Sequence, residues 1–171
     1  TRKALRKACA LHDLVLTTGG VSVGEEDHVK PAVEAEGELS LWSIAIKPGK
    51  PLAYGRVGNA DFIGLPGNPV SAFVTFLLLV RPFILKCQGA EGTSPKALSL
   101  PAAFDWPKPG ARREFLRARL AAEGRVELFP NQSSAVLTST VWTDGLVDNP
   151  AGQAIRPGDI VRFLPLAELL H

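Results

Sequence analysis

Three short stretches carry the residue types that chemistry on an anion requires. The first is Gly19-Gly20-Val21-Ser22-Val23-Gly24, followed by Glu25, Glu26 and Asp27. Glycines adopt positive φ and let a ligand approach the backbone amides closely. Gly19, Gly20 and Gly24, with the Ser22 hydroxyl, therefore offer donors to a phosphate. The acids beyond would repel that phosphate unless a cation lay between, and Mg²⁺ bridging a carboxylate and a phosphate is a common solution. Asp27 and Glu26 are the candidate ligands. The same stretch also fits a plain glycine-rich turn whose acids sit favourably at a helix N-terminus.

The second stretch is Lys47-Pro48-Gly49-Lys50-Pro51. Pro-Gly suits the middle of a type II turn, which would let Lys47 and Lys50 face one anion. A hairpin turn with two solvated lysines is the alternative. The third is Gly64-Leu65-Pro66-Gly67-Asn68-Pro69-Val70-Ser71. Asn68 is a good N-cap and Pro69 a good first helical residue. The helix starting there would aim free N–H groups back at the strand ends, with the Ser71 hydroxyl beside them. Fixed amides, lysines and a metal together stabilise charge on phosphate oxygens. The expected ligand is a phosphorylated small molecule.

These loops need a scaffold, and the pattern before residue 93 supplies one. Ala4, Leu5, Ala8, Cys9 and Leu11 recur at helical spacing. Residues 14–17, 41–46, 52–55 and 62–65 read as strands. Residues 29–36 read as a helix whose start is shifted by Pro31. Residues 70–85 read as a long apolar helix, bent or broken at Pro82. Alternation of this kind predicts an open α/β layered sheet, with each loop at a strand end on one rim. The chain opens on a helix feeding a strand. Part of this domain is therefore expected upstream of Thr1 or from another chain. After Gly92-Thr93-Ser94-Pro95 the grammar is β. Segments 97–102, 113–121, 125–129, 145–149 and 160–164 are separated by turn signals, which predicts a small barrel or sandwich. The expected division is 1–93 and 94–171.

The net charge of +2 gives no field to favour nucleic acid or a membrane surface. Stacking aromatics beside basic residues, which single-stranded nucleic acid requires, are lacking. Cys9 and Cys87 have no metal-site spacing and suit a reduced setting. The longest apolar run, 72–80, is far short of a membrane span. A cytoplasmic protein is the expectation. His12 reads as a cap-like or surface residue, His171 is terminal, and His28 is placed beside the acidic loop.

In this order and spacing, the three stretches resemble the molybdopterin molybdenumtransferase family (MoeA and the gephyrin E domain). The resemblance runs over essentially the whole chain and matches the C-terminal portion of the family. It implies a partial three-layer α/β/α molybdopterin-binding domain followed by a small all-β barrel domain. It implies insertion of molybdenum from molybdate into adenylylated molybdopterin with release of AMP, assisted by Mg²⁺. The glycine loop would cradle the pterin phosphate, Asp27 would serve activity, and Lys47 would hold the anion. Molybdate would sit near Lys47 and the Pro66–Ser71 helix start, Pro66, Gly67, Asn68, Pro69 and Ser71. Arg117 and Ser134 would line the cleft toward a second subunit. A homodimer and a molybdopterin adenylyltransferase partner are implied for the full-length protein. A non-catalytic molybdopterin-binding or scaffold module is the alternative. The chain departs from the family at Ser43, where many members are basic, and at Pro31.

Overall fold

The computed structural model describes residues 1–21 and 28–170. Helix α1 (Arg2–Cys9) buries only Leu5 and Cys9, one turn apart, and turns its charged residues outward. The apolar stripe stops there: Leu11 lies beyond the helix and is 69% exposed. Arg2 and Arg6 both reach Glu36 at the end of α2 (Val29–Glu36), at 2.7 and 3.2 Å, and tie the two helices together.

Four strands form the first sheet: β1 (Leu14–Thr18), β2 (Glu38–Ser43), β4 (Pro51–Val57) and β5 (Ala60–Leu65), in the order β1-β5-β4-β2. The β1–β5 pair is parallel and the others antiparallel. One face is covered by α1 and α2, with Leu5, Val33, Val57 and Phe62 in its core. The other packs Leu52, Ile63 and Leu65 against Val80 of the long helix. The result is the expected α/β/α layering.

That helix runs from α3 (Pro69–Thr75) through a π-helical segment, Phe76–Val80, into α4 (Arg81–Cys87). It is continuous, not broken at Pro82. Proline lacks an N–H and its ring crowds the carbonyl four residues back. The wide turn just before it, where the Arg81 N–H bonds Phe76 O, absorbs that conflict. Pro69–Cys87, with mean hydropathy 1.9, is long and apolar enough by composition to cross a membrane. The 72–80 run is only its uninterrupted apolar part, and residues on both sides extend the helix. Here it packs between two sheets: Val70, Val74 and Leu77 meet Phe115, Leu146 and Leu164 of the second sheet.

The second sheet contains β6 (Leu98–Pro101), β7 (Arg113–Leu120), β8 (Val126–Leu128), β9 (Gly145–Asn149) and β10 (Ile160–Pro165). The ladders run β6-β10-β9-β7-β8. An isolated bridge between Ala102 and Val126 brings the chain just after β6 beside the start of β8. The inner face of the sheet holds Leu116, Val126, Val147 and Phe163. Short helices α5 (Thr138–Trp142) and α6 (Leu166–Leu170) lie against it.

One segment departs from the predicted elements. Residues 41–46 do not form a single strand. The first sheet keeps Glu38–Ser43, while Ile46–Lys47 forms β3 and pairs in parallel with Arg113 and Glu114 of β7. Strand β3 thus crosses from the first half of the chain into the second sheet.

Candidate functional site

The parallel strands β1 and β5 end side by side, with Thr18 opposite Leu65. The loops that follow must therefore meet. The Gly19 N–H bonds Leu65 O at 3.0 Å. Gly19 has φ +79, a conformation that glycine adopts without strain, and its Cα lies close to that of Gly67. Val21, 2% exposed, packs where a side chain on Gly64 would stand. First and third loops enclose a cleft of about 270 Å³ lined by Gly19, Gly20, Val21, Pro51, Pro66, Gly67, Asn68 and Ser71. The backbone N–H groups of Gly20, Gly67 and Ser71 have no hydrogen-bond partner among the described residues. Ser22, Gly24, Glu26 and Asp27 lie outside the described residues.

The helix start is built differently from a simple N-cap. Pro69 is the first helical residue, but Asn68 makes no side-chain cap. Its Nδ2 donates instead to Ser134 Oγ at 3.0 Å, and the Val70 N–H is satisfied by Ser134 O at 3.2 Å. The second half of the chain therefore caps the helix of the first. Ser134 stands at the cleft's edge through this contact with Asn68.

Arg117 is not among the residues that line this cleft. It is 1% exposed, and its guanidinium donates to Ser139 Oγ, Asn131 O and Ser133 O at 3.1–3.3 Å. It faces the back of the loop that carries Ser134. Gln132 ties the same loop to the Arg117 backbone, with its Oε1 accepting from the Arg117 N–H and its Nε2 donating to Arg117 O, both at 2.9 Å. Burial without a carboxylate partner pushes the Arg117 pKa down to about 10, so it stays charged at neutral pH.

The lysine loop is also re-aimed. The Lys47–Pro48 peptide is cis, in place of the expected type II turn, and Gly49 has φ +113 beside Thr75. Lys47 Nζ donates to Glu114 Oε1 at 3.0 Å. Lys50 is exposed and has no ion pair among the described residues. Of this loop, Pro51 alone lines the cleft.

Glu114 was not singled out in the sequence. It is 0% exposed, and the Trp106 indole donates to its Oε2 at 2.8 Å. Burial raises its pKa, but the Trp106 indole, the Lys47 ammonium and the Gly110 amide outweigh that and hold it below the ordinary carboxylate value. A signal was present: Glu114 falls in phase with the inward-facing Leu116 and Ala118, where an acid must find partners.

Among the described residues no group of three or more His, Cys, Asp or Glu is placed to hold a metal. Thr17 Oγ1, near the head of the acidic loop, is a buried oxygen without a hydrogen-bond partner among the described residues. It is a donor of the type Mg²⁺ accepts. A larger hollow of about 550 Å³, lined by Arg6, His12 and Glu36 among others, lies at the opposite end of the strands.

A layered α/β domain with an anion-sized cleft at its strand ends, closed by a small β domain, defines the class. Residues 1–86 match a family described as "Probable molybdopterin binding domain", and residues 99–166 match "MoeA C-terminal region (domain IV)". A molybdopterin molybdenumtransferase of Haemophilus influenzae is 46% identical over 129 residues, 74% of this chain and 32% of the relative. Another from Synechococcus elongatus is 41% identical over 143 residues, 82% of this chain and 35% of the relative. The crystal structure of a MoeA protein from Pyrococcus horikosii superposes with a TM-score of 0.78 at 29% identity, covering 96% of this chain and 40% of that one. The chain belongs to the MoeA family of molybdenum cofactor biosynthesis proteins. It spans about a third of the length of these curated relatives.

Proposed function

We propose that this chain forms the anion-holding part of a molybdopterin molybdenumtransferase. In this reading the full-length protein takes adenylylated molybdopterin and molybdate, releases AMP, and leaves molybdenum on the dithiolene. The observation that carries it is the shared cleft of the Gly19–Gly20 and Pro66–Ser71 loops, with amides on both walls that have no partner among the described residues. Cleaving a phosphoanhydride builds charge on phosphate oxygens, and fixed amides stabilise that charge without reorganising. The Gly20, Gly67 and Ser71 amides would hold the phosphate. Lys50 at the loop edge and Lys47 beside Glu114 would attract the molybdate dianion. Ser134 would fix the helix start. Arg117 would act from behind, by keeping the Ser134 loop in shape and adding a buried positive charge. Glu26 and Asp27 would hold the Mg²⁺, which when bound would neutralise phosphate charge. A cytoplasmic setting, a homodimer and an adenylyltransferase partner belong to the same reading.

The test is calorimetric titration of the chain with molybdate and with AMP, with and without Mg²⁺. Saturable binding of both, weakened by Gly67→Val and Ser71→Ala, is expected. No binding of either anion would overturn the reading. Binding by the chain, with no turnover by the polypeptide extended to the relatives' length, would favour the non-catalytic module.

A further inference from the structure

Glu114 is a buried carboxylate on the inner face of the second sheet, in phase with the apolar Leu116 and Ala118 and opposite the buried Asn149. Taking a carboxylate out of water costs several kcal/mol. Replacing a buried ion pair by apolar residues is often neutral or stabilising, so stability alone gives no reason for this one. Its partners are specific. One oxygen receives Lys47 Nζ and the other receives the Trp106 indole. The carboxylate is thereby fixed from its own domain, while Lys47 comes from the other half of the chain. The β3–β7 pairing and a bond from Arg112 Nη1 to Ile46 O at 2.9 Å bring that lysine into register. The Lys47 side chain remains 47% exposed. An ammonium has three donors, so two are left to face solvent or a ligand.

We propose that Glu114 is a positioning residue. It holds the Lys47 ammonium at the seam between the two sheets, in the loop whose Pro51 lines the cleft, with its remaining donors available to an anion. The proposal rests on the anion-site reading above. It also runs against simple electrostatics. A carboxylate beside the lysine lessens its pull on an anion, so removing that charge would tighten binding unless geometry is what Glu114 supplies. A free lysine on a four-carbon stem samples many rotamers, and one held by a fixed carboxylate is already ordered.

The experiment is titration with molybdate of the wild-type chain, Lys47→Ala, Glu114→Gln and the double variant, with melting curves to check folding. Lys47→Ala and Glu114→Gln should each weaken binding about tenfold, the scale at which displaced supporting groups act. The double variant should be no weaker than Lys47→Ala, since Glu114 acts through the lysine. Weakening by Lys47→Ala with equal or tighter binding by Glu114→Gln overturns the positioning role and leaves the anion site standing. Additive losses in the double variant also overturn it. No effect of Lys47→Ala overturns the positioning role, while absence of molybdate binding by the wild-type chain overturns the anion-site reading itself. If Glu114→Gln does not fold, Glu114→Asp takes its place under the same criteria, because it keeps the charge and withdraws it by one carbon.

Discussion

At the scale of single residues, two constraints are sharp enough to measure. Gly49 combines φ +113 with a position where an added Cβ would come within 2.3 Å of Thr75 Cγ2. Gly49→Ala should destabilise the chain by about 1–3 kcal/mol. Adding Thr75→Ser removes the clashing methyl but not the backbone strain, so it should restore part of the loss. Urea midpoints of the two variants separate the terms, and full restoration would show that the backbone term is negligible. Glu114 makes a prediction in pH. Its folded pKa is depressed, so its contribution is complete above the ordinary carboxylate value and fades as pH falls through the lower folded value. The groups facing it are Lys47, Trp106 and the Gly110 amide, all of which favour the charged form. Stability measured between roughly pH 5 and 3 should fall less steeply in Glu114→Gln than in wild type. Parallel slopes would count against the pairing. The pairing itself was not legible in a linear reading, because Lys47 and Glu114 are 67 positions apart and a lone glutamate in a strand names no partner.

At the scale of elements, the segment around Ser134 is held by a buried cation. Asn131 and Ser133 offer carbonyls, and Ser139 a hydroxyl, to Arg117, and among the described residues no carboxylate pairs with it. Arg117→Met removes the cost of burying that charge and also the donors that shape the loop. These effects oppose one another, so the change in stability should stay within about 2 kcal/mol. The loop itself should loosen. Proteolysis within residues 131–137 should become faster in the variant, and protection of the Val70 amide, which Ser134 O accepts, should drop. Unchanged cleavage and exchange would assign the loop's order to its own turns. Turn chemistry was readable at the helix start, where Pro69 marks the first residue. The capping partner was not, because it arrives from the far half of the chain.

At the scale of the molecule, the long helix is shared by the two sheets: Val80 packs on Leu52, Ile63 and Leu65 of the first. Val70, Val74 and Leu77 of the long helix lie with Phe115, Leu146 and Leu164 of the β domain. The halves should therefore unfold together. Leu77→Ala should cost about 2–4 kcal/mol and lower a single transition seen by both far-UV circular dichroism and tryptophan fluorescence. Two separated transitions would show that the halves are independent. Leu77 is 2% exposed, so the cavity term applies in full.

Local chemistry was determined by the sequence itself. Glycine and proline restrict φ wherever they stand, and apolar spacing selects helix or strand, so the three loops, the layered α/β half and the β half followed from short-range rules. The tertiary structure decided which groups those loops face. Strand β3 leaves its own sheet for β7, Lys47 is claimed by Glu114, Asn68 is turned from cap to latch by Ser134, and Arg117 is buried behind the loop instead of lining the cleft. The first three depend on contacts between the two halves, whereas Arg117 meets Asn131, Ser133 and Ser139 within its own half. Such contacts are fixed by burial and by the need to satisfy buried charge, and neither is written in the neighbouring residues.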